Sequence, residues 1–225
     1  MNLLLTVFIF FHTPKPLTSI SASDLKDAII VPYISVNRVY GDTKSEKDTS
    51  ANRLIADTLT NRFEHIYRIN SRQLKIHNYN QAWEIRREIA NTFTKAINLN
   101  GGFAKPNKTF YNTAQIPPNL KQALQSNKAK FGIVFVCDAF YHAQQYQKEL
   151  NKQAIQSSIA ETVFYNLLFG PSIYIKIPIR GKIMLETIIY DIEKNKVVFL
   201  NAQYYEGSLD MNKLIRQFDD QFQNF

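Results

Sequence analysis

Hydrophobic positions along the chain repeat with two different periods, and the order of these periods predicts an α/β fold. Residues 27–36 (DAIIVPYISV) and 131–141 (FGIVFVCDAFY) are nearly continuous apolar runs of strand length. Apolar residues recur at spacings of three and four over 51–63, 81–97 and 149–169, which indicates helices. This order predicts a single mixed sheet with packed helices.

The carboxy-terminal part predicts a long β-hairpin followed by a final helix. Residues 182–192 and 196–205 have strand-like composition, and the polar residues 193–195 between them suit a turn. Ser208 is expected to cap the final helix, whose apolar positions run from Leu209 to Phe222.

Several other features complete a predicted domain over residues 24–225. Ser50 is expected to cap the first helix, and residues 66–77 are expected to form a strand. Residues near Pro118 predict a short helix that leads into the second apolar run. The last turns of the helix at 149–169 are apolar nearly all round, so we expect that helix to be buried.

Residues 81–118 are interpreted as a helix and loop insertion within this domain. The helix places Trp83, Ile85 and Ile89 near one side. The stretch 103–118 is irregular and rich in Lys, Asn and Pro, which favours an exposed loop.

Residues 173–180 alternate with unusual regularity. Isoleucine occupies positions 173, 175, 177 and 179, and Tyr, Lys, Pro and Arg occupy the positions between them. The period fits both a half-buried strand in water and a strand of a membrane barrel. We favour the strand in water, because the Lys and Arg side chains then need only ordinary solvent.

The amino terminus has the pattern of a secretory signal over residues 1–23. The apolar run at 3–11 is shorter than the roughly 20 residues of a membrane-spanning helix, and Pro14 and Pro16 follow it. Ser21 and Ser23 suit cleavage before Asp24. No Lys or Arg precedes the apolar run, so a buried amino-terminal strand and an uncleaved membrane anchor remain as alternatives.

Positive charge is concentrated in one part of the chain. The net charge is +8, and residues 38–130 hold 16 Lys and Arg against 7 Asp and Glu. A basic interaction surface is predicted from six arginines: Arg53, Arg62, Arg68, Arg72, Arg86 and Arg87. An ordinary solvated face explains the same charges, and export makes nucleic acid an improbable partner.

Motifs for catalysis, phosphate binding or metal binding do not emerge from the sequence. His12, His65, His77 and His142 are scattered, and no pair has the spacing of metal ligands. The sequence therefore predicts no catalytic residue, no cofactor and no metal site.

Two local clusters have simpler explanations than catalysis. Cys137 and His142 lie five positions apart and project to opposite faces of a strand, so we expect Cys137, the single cysteine, to be a buried thiol. Asp191 and Glu193 are expected at the hairpin turn, where polar residues are common.

The order of elements resembles the amino-terminal domain of TolB and the curli-type export channel subunit. The resemblance is carried by the strand IIVPYISV, the helix ANRLIADTLTNRF, the strand FGIVFVCDAFY, the hairpin LETIIYDIEKNKVVFLNAQYY and the helix LDMNKLIRQFDDQF. It implies a domain that acts by binding and assembly and brings no catalytic residue with it.

The chain departs from that pattern in three ways. It lacks the amino-terminal Cys of the curli-type lipoprotein, Asn195-Lys196 replace the usual hairpin glycine, and residues 81–117 are additional. A pore-forming role is therefore not carried over.

We conclude that the sequence favours an exported, non-catalytic protein of the periplasm or cell envelope. It would serve as an interaction and assembly module in secretion or surface assembly, with an envelope protein or a second copy as partner. An enzyme that acts on an envelope polymer is one alternative. A peripheral protein held to anionic membrane by a basic face is another.

Overall fold

The computed structural model describes residues 20, 23–69, 71–74, 79–99, 108–169, 178 and 180–222. In chain order the elements are β1 (Ile29–Val39), β2 (Ser45–Lys47), α1 (Thr49–Tyr67), β3 (Arg72–Gln73), α2 (Tyr79–Leu99), α3 (Lys108–Thr113), α4 (Pro118–Ser126), β4 (Phe131–His142), α5 (Gln144–Phe169), β5 (Gly181–Asp191), β6 (Lys196–Glu206) and α6 (Met211–Gln221).

The strands form one mixed sheet of six strands. Its order is β2-β1-β4-β5-β6, and β3 pairs with the start of β1. The pair of β1 and β4 is parallel, whereas β4, β5 and β6 follow one another in antiparallel pairs. The predicted fold class is confirmed, including the long carboxy-terminal hairpin and the final helix.

Helices cover both faces of this sheet, because alternate residues of β1, β4 and β5 are apolar on each side. The first face packs against α1 and α6, with a core that includes Ile55, Leu59, Phe63, Phe135 and Phe218. The second face packs against α2, α3 and α4, with a core that includes Ile85, Ile89, Leu120, Val134 and Ile188. Parts of the predicted 81–118 insertion thus supply buried side chains to the second core.

Two helices begin at residues other than those that the sequence suggested. Asp48, not Ser50, is the N-cap of α1, and its carboxylate accepts from the Ala51 amide at 2.9 Å. Asp210, not Ser208, caps α6. Both aspartates have extended backbone, which lets the side chain reach the free amides of the first turn.

Asp48 also ties α1 to two strands. Tyr141 of β4 donates its hydroxyl to this carboxylate at 2.5 Å, and Arg38 of β1 donates at 3.0 Å. The hydrogen bond from Tyr141, together with the one from Ala51, holds the pKa of Asp48 below its usual range. The start of α1 is therefore fixed by contacts from distant parts of the chain.

The predicted strand at 66–77 is mostly absent from the part of this stretch that is described. α1 continues to Tyr67 and ends at Arg68, whose left-handed conformation (φ 52°) lets its amide bond to Glu64. Among the described residues of this stretch, Arg72 and Gln73 are the ones that pair with β1 as a strand. Ile66 therefore belongs to the last turn of the helix.

Candidate functional site

The long helix α5 is exposed where the sequence predicted burial. Its start is attached to the sheet, because the Ala143 amide donates to the Val39 carbonyl at 2.7 Å. Farther along, Ile155, Ile159 and Val163 are 61%, 60% and 54% exposed. The expectation of a buried helix is wrong for these side chains.

These three residues form one row on the helix, because they are spaced by four positions. Phe164 adjoins the row and is 57% exposed. Residues 153–169 contain a single charged residue, Glu161. Low charge and contiguous apolar side chains are typical of surfaces that pack against another protein.

A second exposed feature is the outer edge of β6, the last strand of the sheet order. Its first half is covered, since the Val197 amide donates to the Ala114 carbonyl at 3.2 Å. Along residues 201–206 no strand of the described ranges pairs with this edge, and Tyr204 is 40% exposed. An edge of this kind can accept an added strand.

The structure distributes the six predicted arginines over helices on opposite faces of the sheet and one strand. Arg53, Arg62 and Arg68 lie on α1 or at its end, Arg72 lies in β3, and Arg86 and Arg87 lie on α2. Since α1 packs on the first face and α2 on the second, the six do not lie on one face of the protein.

Four of these arginines pair with acidic neighbours, including Arg53, which lies 3.9 Å from Asp57. Arg62 donates to both carboxylate oxygens of Asp219, at 2.7 and 2.6 Å. Arg86 pairs with Asp138 at 3.2 Å, and Arg87 with Glu84. A basic binding surface remains a prediction.

Arg87 also explains why one aromatic residue of α2 lies outside the core. Its guanidinium lies 5.0 Å from the ring centroid of Trp83, a cation–π arrangement. Trp83 is 50% exposed, so its expected place beside Ile85 and Ile89 is wrong.

Cys137 lies in the first core and is fully buried, as expected. Burial raises the pKa of its thiol to about 12, so the reactive thiolate is scarce at neutral pH. His142 instead contacts the side chain of Gln147 at 3.1 Å. No group of three His, Cys, Asp or Glu within the described ranges could hold a metal.

The predicted polar turn is present between β5 and β6. Asp191 is buried, and its carboxylate accepts from the Lys194 amide at 2.9 Å and lies 3.0 Å from the Lys194 amine. Asn195 has a left-handed backbone (φ 54°), the conformation that glycine usually supplies in such hairpins. These contacts explain Asp191 as a turn residue.

A cleft of about 490 Å³ lies between α2 and residues 110–118. Its lining includes Glu88 and Lys95. The Glu88 carboxylate is engaged at the start of α4, where it accepts from the Asn119 side chain at 2.8 Å and the Leu120 amide at 3.3 Å. The described lining brings no second carboxylate or histidine to Glu88, and the enzyme alternative stays a prediction.

A smaller cavity of about 210 Å³ lies between α2 and the second face of the sheet. Glu186 of β5 lines it and is only 4% exposed. Tyr33 of β1 lines it too, and its hydroxyl is buried without a hydrogen-bond partner. The polar lining also includes Thr94 and the ion pair of Arg86 and Asp138, whose side chains are 47% and 46% exposed.

Burial and, to a smaller extent, the negative charge of Asp138 together raise the pKa of Glu186 to about 8. The sequence analysis missed this carboxyl. The sequence did contain a signal, because Glu186 is a charged residue on the same side of β5 as the apolar residues 188 and 190. The convergence with Tyr33 and Arg86 depends on the fold and was not visible in the sequence.

Comparisons with known proteins give distant matches only. No family model matches the chain, and no curated protein matches it. Among solved structures, the chain is similar to the LpoB C-terminal domain from Salmonella enterica, with a TM-score of 0.31, 7% identity, and 83% and 85% of the two chains covered. It is also similar to protein XCC0632 from Xanthomonas campestris, with a TM-score of 0.30, 8% identity, and 87% and 75% covered.

These TM-scores are too low to transfer a function from either structure. The resemblance to TolB and the curli-type subunit therefore rests on the order of elements alone.

The predicted signal and the alternating strand fall largely outside the described residues. Of residues 1–23 only 20 and 23 are described, and of 173–180 only 178 and 180. Cleavage before Asp24 thus stays a prediction. Across the described ranges, no helix is long and apolar enough to cross a membrane.

Proposed function

We propose that this protein is an exported, non-catalytic protein of the cell envelope that works as an interaction and assembly module. The observation that carries the proposal is the exposed row of Ile155, Ile159 and Val163 on α5. Aliphatic side chains in a contiguous row are costly in water and are typically covered by another surface. The resemblance to TolB and the curli-type subunit favours a place in secretion or surface assembly.

The partner that we propose for α5 is a second copy of this chain. Each copy carries a net charge of +8, so two copies repel through most of their surfaces. Residues 153–169 bring only Glu161 as a charge, so this half of α5 can approach its equivalent with little repulsion.

The geometry of the row suits helix-to-helix packing. Side chains spaced by four residues form a ridge that fits the groove of a second helix. A two-fold axis would bring the same row from both copies together, which makes the interface self-complementary.

The test replaces Ile155 and Ile159 with Gln, which is polar and a good helix former. We expect the full chain to associate with increasing concentration in sedimentation velocity and the double variant to stay monomeric. Because both side chains are exposed, the midpoint of thermal unfolding of the monomer should be unchanged.

The matched control is Leu54→Gln, since Leu54 is 55% exposed on α1. This variant should associate as the unaltered chain does. A monomer at all concentrations, or equal association of the double variant, would contradict the proposal.

A further inference from the structure

We propose that the cavity between α2 and the second face binds a primary ammonium group, held by Glu186 and Tyr33. The proposal does not depend on α5 or on self-association. Its ligand would be an amine on a short alkyl chain, either a free amine or the lysine side chain of a partner protein.

Two polar groups point to a ligand in this cavity. Glu186 is only 4% exposed, and no described residue forms a hydrogen bond with its carboxyl group. The hydroxyl of Tyr33 is likewise buried without a partner. Buried polar groups are nearly always hydrogen-bonded, so the Tyr33 hydroxyl, which lines the same cavity as Glu186, indicates a missing partner.

The charges around Glu186 favour a cation over an anion. On β4 and α2 the facing charges are Asp138 and Arg86, which form an ion pair, and the negative charge of Asp138 still contributes to the raised pKa of Glu186. An ionised Glu186 then adds one uncompensated negative charge, and a single ammonium balances it.

The other charged groups nearby are already engaged. The negative charge of Glu88 on α2 contributes to the raised pKa of Tyr33, and the Glu88 carboxylate accepts a hydrogen bond at the start of α4. Lys182, on the same side of β5, lies 3.8 Å from Glu206 and 5.7 Å from the ring centroid of Tyr204. Glu88 is an anion, and the cation Lys182 is already paired with Glu206.

The size and the walls of the cavity set the ligand class. Its volume of about 210 Å³ lies below the roughly 300–1,000 Å³ of sites for drug-sized molecules. Ile89, Val136 and Met184 provide apolar walls for a short alkyl chain. A divalent metal would require more free oxygen ligands than this lining offers, because Asp138, the second carboxylate, is paired with Arg86.

The experiment is isothermal titration of the full chain with n-butylammonium chloride at pH 7 in two buffers of different ionisation enthalpy. With a pKa of about 8 when the cavity is empty, about nine tenths of Glu186 carries a proton at this pH. Binding an ammonium requires the carboxylate, so we expect release of about 0.9 proton per ligand. The affinity should rise roughly tenfold between pH 7 and pH 9.

Three variants test where the ligand binds. Glu186→Gln keeps the shape of the side chain and should abolish both binding and proton release. Glu193→Gln removes the same charge from the exposed hairpin turn and should change neither. Tyr33→Phe should weaken binding roughly tenfold, because it removes a hydrogen bond to a charged group.

Neutral probes and a peptide complete the test. Butan-1-ol, which has the same alkyl chain without the charge, should not bind. If butan-1-ol bound as strongly as butylammonium, the site would be only an apolar cavity and the proposal would be overturned. Binding of propionamide without proton release would show that the site takes a neutral ligand, and this result would also overturn the proposal. No binding of butylammonium to the unaltered chain would also overturn it.

A capped peptide with a single lysine then distinguishes the two sources. Binding of the peptide as well as of butylammonium supports the lysine of a partner protein. Binding of butylammonium alone supports a free amine.

Discussion

Glu186 is a carboxyl that the fold holds in the neutral form near pH 7. Strands β4 and β5 form the wall behind it, and α2 lies in front, so little water reaches the charge. The unfolded chain has no such shielding. The same residue therefore binds its proton with different strength in the two states, which couples folding to pH.

The replacement Glu186→Gln should raise the free energy of unfolding at pH 8 by up to about 4 kcal/mol. The unfolded Glu releases its proton near pH 4.3, whereas the folded one keeps it to about pH 8. The contribution of Glu186 to the free energy of unfolding is thus fully present below pH 4.3 and declines as the pH rises to 8. Urea denaturation at pH 4 and pH 8 measures the difference.

Gln does not titrate, so the variant should match the unaltered chain at pH 4 and exceed it at pH 8. Glu193→Gln serves as the control, because that side chain is exposed at the turn. An equal effect of Glu186→Gln at both pH values would rule out proton linkage as the cause.

At the scale of elements, the apolar stripe of a helix predicts that a surface is needed but not which molecule supplies it. In α1 the stripe of Ile55, Leu59 and Phe63 meets the first face of the sheet. In α5 the row of Ile155 and Ile159 meets solvent. Both stripes have helical spacing, so their patterns in the sequence do not distinguish these two outcomes.

The start of β5 tolerates no side chain, which the replacement Gly181→Ala should reveal. A Cβ at Gly181 would lie 2.5 Å from the carbonyl oxygen of Phe140 and 2.7 Å from that of Gly207. Because both obstacles are backbone atoms, the strand ends must separate, and we expect a loss of about 1–3 kcal/mol in the free energy of unfolding. Urea denaturation provides the measurement.

Gly41→Ala is the matched control for that replacement. A Cβ at Gly41 would meet no atom within 4 Å. This variant should unfold at nearly the same urea concentration as the unaltered chain. Equal losses in the two variants would show that steric contact at Gly181 is not responsible.

At the scale of the whole molecule, the sequence predicted the elements well because each apolar run has one clear period. Boundaries were harder to predict where distant residues set them. Asp48 caps α1 with the help of Arg38 and Tyr141, and Tyr141 lies 93 residues away along the chain. No local pattern favours Asp48 over Ser50.

The two candidate sites, the row on α5 and the cavity of Glu186, also differ in how much of each the sequence reveals. The apolar residues of α5 are visible in the sequence, although their exposure is not. The cavity of Glu186 and Tyr33 draws its lining from β1, α2, β4 and β5. It exists only once the sheet order and the position of α2 are set.

Processing of the amino terminus is the prediction that concerns the whole chain. We expect the protein recovered from the cell envelope to begin at Asp24, because Ser21 and Ser23 suit the cleavage site. Cell fractionation followed by mass measurement of the intact protein tests this. Recovery from the cytosol with Met1 retained would contradict export.

The parallel pairing of β1 with β4 has a consequence for when the protein can fold. Arg38 and its neighbour Tyr141 are separated by 103 residues, so the middle of the sheet closes only after more than half of the chain is available. Contacts between such remote segments slow folding. For the export that we propose, this delay keeps a newly made chain unfolded, so that it can pass through a narrow translocation channel.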